Sequence, residues 1–130
     1  MSKAFLDSNA FRKIADIHKP ILDELDLCDK LFVSPIVLGE LFDGYKRGNK
    51  EKQNKTKLQE FISRYVVEIP KISKETAEIY AQIKYQLAKK GKPVPINDIW
   101  IAAQTMEFGA VLMTYDKHFE EIDGLRIWGE

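Results

Sequence analysis

Residues 96–114 run Ile96-Asn97-Asp98-Ile99-Trp100-Ile101-Ala102-Ala103-Gln104-Thr105-Met106-Glu107-Phe108-Gly109-Ala110-Val111-Leu112-Met113-Thr114. After Pro93 and Pro95, Asn97 or Asp98 stands where a helix would be capped, Gly109 stops that helix, and the apolar run Ala110 to Thr114 follows at once as a strand. A helix that hands over directly to a strand is the unit of alternating α/β folds. Outward from it the alternation repeats, with strands expected at Lys3 to Leu6, Leu31 to Val33, Val66 to Ile69 and, more weakly, Arg126 to Trp128. Ser34-Pro35 reads as a cap followed by proline at the first helical position, opening a helix with Val37, Leu38, Leu41 and Tyr45 on one face and Gly48 at its end. Leu58, Phe61, Ile62 and Tyr65 mark another helix, preceded by the polar segment Gly48 to Lys57. Ser73 caps a long one, with Ala77, Tyr80, Ala81, Ile83, Leu87 and Ala88 inward and Gly91 just beyond. The pattern predicts a three-layer α/β/α fold around a mainly parallel sheet of four to five strands.

The chain has 130 residues, 45% of them apolar, which fits one domain spanning residues 1–130 and burying roughly two-thirds of its unfolded surface. No repeat, low-complexity tract or Gly/Ser linker argues for an internal boundary. Twenty basic and twenty acidic residues cancel, so a nucleic-acid partner must be met by a local patch. The lone cysteine, Cys28, has no partner for a disulfide or a zinc site and reads as a small buried apolar residue of a reducing compartment. Asp7 comes too soon after the N-terminus for a secretory signal, and no stretch approaches the ~20 apolar residues of a membrane span. A soluble, cytoplasmic protein is expected.

In open α/β sheets ligands bind beyond the carboxyl ends of the strands. Asp7 follows the first strand, Asp116 follows the strand Ala110 to Thr114 by two residues, and Asp98 opens the helix leading into that strand. Glu40 lies about a turn and a half inside the helix after Leu31 to Val33, which leaves the same edge. Taken singly, each is more often a cap, a turn former or an exposed charge. Asp7 fits that reading worst, because it ends what should be a central buried strand, where an unpaired charge is costly. Four crowded carboxylates raise one another's pKa unless a cation favours the ionised forms. All-oxygen ligation suits Mg²⁺ or Mn²⁺, and such a site activates water and stabilises a leaving oxygen, the requirements of phosphodiester hydrolysis.

The wording around the acids adds to this. Phe5-Leu6-Asp7-Ser8-Asn9, Asn97-Asp98-Ile99-Trp100-Ile101-Ala102-Ala103 and Val111-Leu112-Met113-Thr114-Tyr115-Asp116-Lys117-His118-Phe119, with Ile122-Asp123-Gly124-Leu125 after it, resemble the PIN-domain ribonucleases, above all the VapC-type toxins of toxin–antitoxin pairs. The likeness spans essentially the whole chain. It implies metal-dependent cleavage of RNA, a cognate antitoxin whose peptide occupies the active-site groove, and a homodimer. Carried over by position, Asp7, Asp98 and Asp116 would be catalytic metal ligands, and Glu40 a ligand directly or through water. Asn9 and Thr114 would hydrogen-bond carboxylates or substrate. Ser8, Tyr115 and Asp123 depart from the family's usual residues without removing a carboxylate.

Between Lys46 and Lys57, six basic residues face only Glu51, and Lys46, Arg47 and Lys50 are candidates for phosphate contacts on the rim of an otherwise repulsive groove. His18 and His118 are read as non-catalytic, since metal-activated water needs no imidazole and no triad wording surrounds either. Trp100 is expected to pack against the sheet. Two other enzyme classes lack their marks: a phosphoacceptor receiver domain needs an adjacent acidic pair and a mid-chain aspartate, and a haloacid-dehalogenase-type phosphatase needs a second aspartate where Asn9 stands. The alternative that survives is a catalytically inactive PIN-like module that binds RNA or protein.

Overall fold

The computed structural model describes residues 2–16 and 19–128. Along the chain these form β1 (Lys3–Leu6), α1 (Ser8–Ala15), α2 (Lys19–Leu25), β2 (Lys30–Phe32), α3 (Pro35–Arg47), α4 (Glu51–Arg64), α5 (Lys74–Lys90), α6 (Ile96–Glu107), β3 (Val111–Met113), a 3-10 turn (Lys117–Glu121) and β4 (Ile127–Trp128). The strands pair in the order β2-β1-β3-β4, every pair parallel. Helices cover the sheet, and the result is the three-layer α/β/α architecture.

Parallel strands covered on both faces are apolar along their whole length. In β1, Ala4, Phe5 and Leu6 are all buried. Phe5 stacks on Phe32 of β2 at 4.9 Å, and Phe108 at the end of α6 meets both rings at 5.8 and 5.2 Å. Phe11 of α1 meets Phe61 of α4 edge-on at 5.3 Å, which docks the two helices. In α6, Ile99 and every residue from Ile101 to Thr105 is buried, so this helix lies between the sheet and its neighbours. Its Gln104 side chain donates to the carbonyls of Pro70 and Lys71 at 3.0 and 3.3 Å, satisfying the loop that enters α5.

Three helices end in the same device. After α5 and α6 the chain turns through Gly91 (φ 67°) and Gly109 (φ 63°), and the next amides, Lys92 and Ala110, reach back to the carbonyls of Leu87 and Thr105. This is the Schellman arrangement, whose left-handed residue is usually glycine. After α4 the same bonds form, Val67 N–H to Ile62 and Val66 N–H to Ser63, but the left-handed position holds Val66 at φ 50°. That turn explains why the expected strand Val66 to Ile69 is missing. Its first residue closes a helix, and what remains pairs with β2 only through a Phe32–Glu68 bridge.

Other expectations shift. The polar segment Gly48 to Lys57 is not a connection throughout, because α4 begins at Glu51 and carries Lys52, Lys55 and Lys57. Neither Asn97 nor Asp98 caps α6. Pro95 takes that position with no side-chain cap bond, and Asp98 lies in the first turn. Ala77, Ala81 and Ala88 of α5 are exposed, the buried side being Thr76, Ile83 and Leu87. Trp100 stacks face to face on Tyr80 of α5 at 4.0 Å, so its partner is a helix and not the sheet. Cys28 is only half-buried, its thiol donating to the Glu24 carbonyl. No helix among the described residues is long and apolar enough to cross a membrane.

Candidate metal centre

With all strands parallel, their carboxyl ends share one edge. The connection from β1 leads to β2 on one side, whereas β3 lies on the other, so a crevice opens between the ends of β1 and β3. Asp7 is the residue after β1, and Thr114 and Asp116 follow β3. Asp98, in the first turn of α6, and Glu40, in α3, complete an open cleft of about 470 Å³ lined also by Ser8, Asn9, Arg12, Asn97 and His118.

Asp7 is 5% exposed. One of its carboxylate oxygens accepts the Ala10 N–H at 2.8 Å, capping α1, and the other accepts the Thr114 hydroxyl. Thr114 in turn accepts the Asp116 N–H at 2.9 Å, and Asn9 accepts the Tyr115 N–H at 3.2 Å, so the loop after β3 is bound to the start of α1. Asp116 caps the 3-10 turn through the His118 N–H at 3.0 Å. Asn97 donates to Glu40 at 3.5 Å. Asp7 and Asp116 therefore act as caps and face the cleft at once, because a carboxylate has more lone pairs than a cap consumes.

Burial pushes the Asp7 carboxyl up to about 6; the bonds from Thr114 and Ala10 oppose this, and the charges of Asp116 and Glu40 add a little. Asp98 is also raised to about 6, by burial first and then by Asp116, Glu40 and Asp7. Desolvation thus outweighs mutual repulsion, the cause expected from crowding alone. Among the described residues no lysine or arginine lies within ion-pair distance of any of the four acids. Four carboxylates on one cleft with no lysine or arginine paired to them fit a hard divalent ion, which supplies the charge that the ionised forms lack.

The basic candidates lie elsewhere. Lys46 pairs with Glu51 at 3.1 Å, Arg47 with Asp43 at 3.0 Å, and Lys50 precedes α4; none of them lines the cleft. The guanidinium on its wall is Arg12, five residues after Asp7 and on the helix that Asp7 caps. A helix placed from Ser8 onward would have pointed to it. His118, which the sequence marks as non-catalytic, stands inside the cleft with its Nδ1 3.1 Å from Asp116 and 3.9 Å from Asp98. His18 lies outside the described residues.

The sequence matches the PIN domain family over residues 4–125. It is similar to a ribonuclease VapC2 of Rickettsia felis, 33% identical over 125 residues, 92% of each chain. A tRNA(fMet)-specific endonuclease VapC of Salmonella typhimurium is 32% identical over 130 residues, covering 98% of this chain and 97% of that one. The fold superposes with a TM-score of 0.87 on the DNA-bound VapBC complex of Salmonella typhimurium, at 31% identity over 98% of both chains. It superposes equally, with a TM-score of 0.87, on VapBC2 of Rickettsia felis bound to a promoter DNA fragment, at 28% identity over 97% of both.

Proposed function

Because the chain belongs to the PIN-domain family and to its VapC-type toxins, it is an endoribonuclease of a toxin–antitoxin pair, and we propose that Asp7, Glu40, Asp98 and Asp116 are the groups with which it cleaves RNA. The observation that carries this assignment is the buried Asp7 joined to three further acids in one cleft, with no lysine or arginine among the described residues ion-paired to any of them. Asp7, Asp98 and Asp116, with Glu40 directly or through water, would hold Mg²⁺ or Mn²⁺. Bound there, the ion supplies positive charge and Lewis acidity, which activate water and stabilise the leaving oxygen.

The protein's own contribution is placement. Thr114 and the Ala10 amide hold both Asp7 oxygens, so the carboxylate cannot rotate away from the cleft. Asn97 steers Glu40, and the cap bond to His118 N–H steers Asp116. Arg12, on the wall, is the natural clamp for a phosphate beside the scissile bond. Lys46 and Arg47 sit at the far end of α3 and Lys50 just beyond it, and Arg47 is seven residues from Glu40, about 10 Å along the same helix face. They would meet phosphates flanking the cleaved one.

Its partner is an antitoxin protein, which we place over the acidic cleft, in competition with RNA. A homodimer of single-domain chains in the cytoplasm completes the proposal. Since the Salmonella relative is specific for tRNA(fMet), initiator tRNA is the first substrate to try. The protein is incubated with that tRNA and with total RNA, with and without Mg²⁺ or Mn²⁺. Metal-dependent cleavage at discrete sites is expected, reduced at least a hundredfold by Asp7→Asn or Asp98→Asn. Equal cleavage by all three proteins would remove the carboxylates from the mechanism.

A further inference from the structure

His118 lies outside the carboxylate set, yet the fold brings its imidazole into the same cleft. One ligand atom from each of Asp98, Asp116 and His118 can be chosen so that all lie within 4.8 Å of one another, with Nδ1 at 3.1 Å from Asp116 and 3.9 Å from Asp98. Around a six-coordinate ion with bonds near 2.1 Å, adjacent ligands stand about 3.0 Å apart and opposite ones about 4.2 Å. The two distances from Nδ1, 3.1 and 3.9 Å, fall within this range, and the 4.8 Å bound on the whole set leaves only a small side-chain adjustment to close around an ion. By contrast, Asp7 has both oxygens engaged by Ala10 and Thr114, so the two ends of the cleft differ in the freedom of their ligands.

We propose that His118 supplies a nitrogen ligand to a cation held with Asp98 and Asp116, which makes this end of the cleft a mixed nitrogen and oxygen seat that prefers Mn²⁺ to Mg²⁺. The inference rests on the reading that the cleft holds divalent metal, and it goes beyond that reading by dividing the cleft into unlike halves.

Two simpler roles account for less. The imidazole is not needed to form the turn, because Asp116 caps it through the backbone N–H of His118. Nor does a structural ion pair explain its position, since the His118 side chain is 57% exposed and such pairs contribute little. Ligand preference then sets the selectivity. Mg²⁺ takes oxygen ligands and dehydrates reluctantly, whereas imidazole suits transition metals, so a single nitrogen donor shifts the balance toward Mn²⁺.

The test uses the full chain, with Mn²⁺ and Mg²⁺ as probes. Mn²⁺ bound to the unaltered protein should show electron spin-echo modulation from an imidazole ¹⁴N, changing to the ¹⁵N pattern after ¹⁵N-histidine labelling. His118→Ala should abolish the modulation, weaken Mn²⁺ binding by about ten- to a hundredfold, and leave Mg²⁺ binding within about twofold. Replacing His18, the only other histidine, should leave the modulation in place. Mn²⁺ bound without nitrogen modulation, or modulation that survives His118→Ala, overturns the role of His118 while the carboxylate metal site stands. Failure of the unaltered protein to bind either ion overturns both.

Discussion

Asp7 is the more deeply buried of the two cleft carboxyls whose pKa is raised to about 6. Its ordinary carboxyl value of 3.8 is raised to about 6, chiefly by burial. The folded state therefore binds this proton more tightly than the unfolded chain does. In the metal-free protein the resulting stability is fully present below pH 4 and is lost as pH rises through about 6. The rise from 3.8 to about 6 corresponds to roughly 3 kcal/mol. Asp7→Asn keeps an oxygen for the Ala10 N–H and removes the charge. In chelator at pH 7.5 it should stabilise the protein by about 1–3 kcal/mol in urea unfolding, and at pH 4 the gain should vanish. Saturating Mg²⁺ or Mn²⁺ should invert the order, since only the carboxylate gains from the ion. An Asn variant less stable than the parent in chelator at pH 7.5 would show that the cleft compensates the charge without metal. Metal affinity in the unaltered protein should likewise fall as pH drops through 6, because protonated ligands must release their protons to bind.

Among the elements, Val66 shows how a sequence pattern can mislead. Val66-Val67-Glu68-Ile69 has the β-branched composition of a strand, but the preceding helix needs a residue with positive φ to turn its last amides inward, and Val66 supplies it. No composition rule reveals this, because the position is normally glycine, as at Gly91 and Gly109, whose role as helix ends was readable. For a β-branched side chain the left-handed conformation costs about 1–2 kcal/mol. Val66 is 79% exposed, so changing it forfeits little packing. Val66→Asn should raise stability by about 1 kcal/mol, read as a higher urea midpoint at unchanged slope. Destabilisation would mean that the valine side chain does more at the surface than its exposure indicates. The remaining strands fell within about a residue of their expected ends, since each is a short apolar run closed by a polar or glycine residue. The α5 face departs from its periodicity for a different reason: Ala77, Ala81 and Ala88 are small enough to be indifferent to burial, so their spacing carries no information about which side faces inward.

Across the whole molecule, the four acids could be read in advance because a parallel sheet puts every strand's carboxyl end on one edge, which turns positions in the sequence into neighbours in space. The basic residues could not, because a long side chain on a helix goes where the nearest acid is. Lys46 turns to Glu51 and Arg47 to Asp43, both within a few residues, while Arg12 reaches the cleft through a helix whose start had not been assigned. With a formal charge of zero, RNA binding must come from these few cations and from bound metal, not from the overall field. Each phosphate neutralised on a single strand contributes about 0.7 to the slope of log affinity against log salt. Using cleavage-silent Asp98→Asn as the common background, Arg12→Ala should lower that slope by about 0.7. Joint replacement of Lys46, Arg47 and Lys50 by alanine should lower it by at most about 2, less whatever their partners Glu51 and Asp43 already absorb. A smaller slope for both changes places the RNA across the cleft and along α3. A slope altered by Arg12 alone would confine the phosphate contacts to the mouth of the cleft and exclude the far end of α3 from the RNA path.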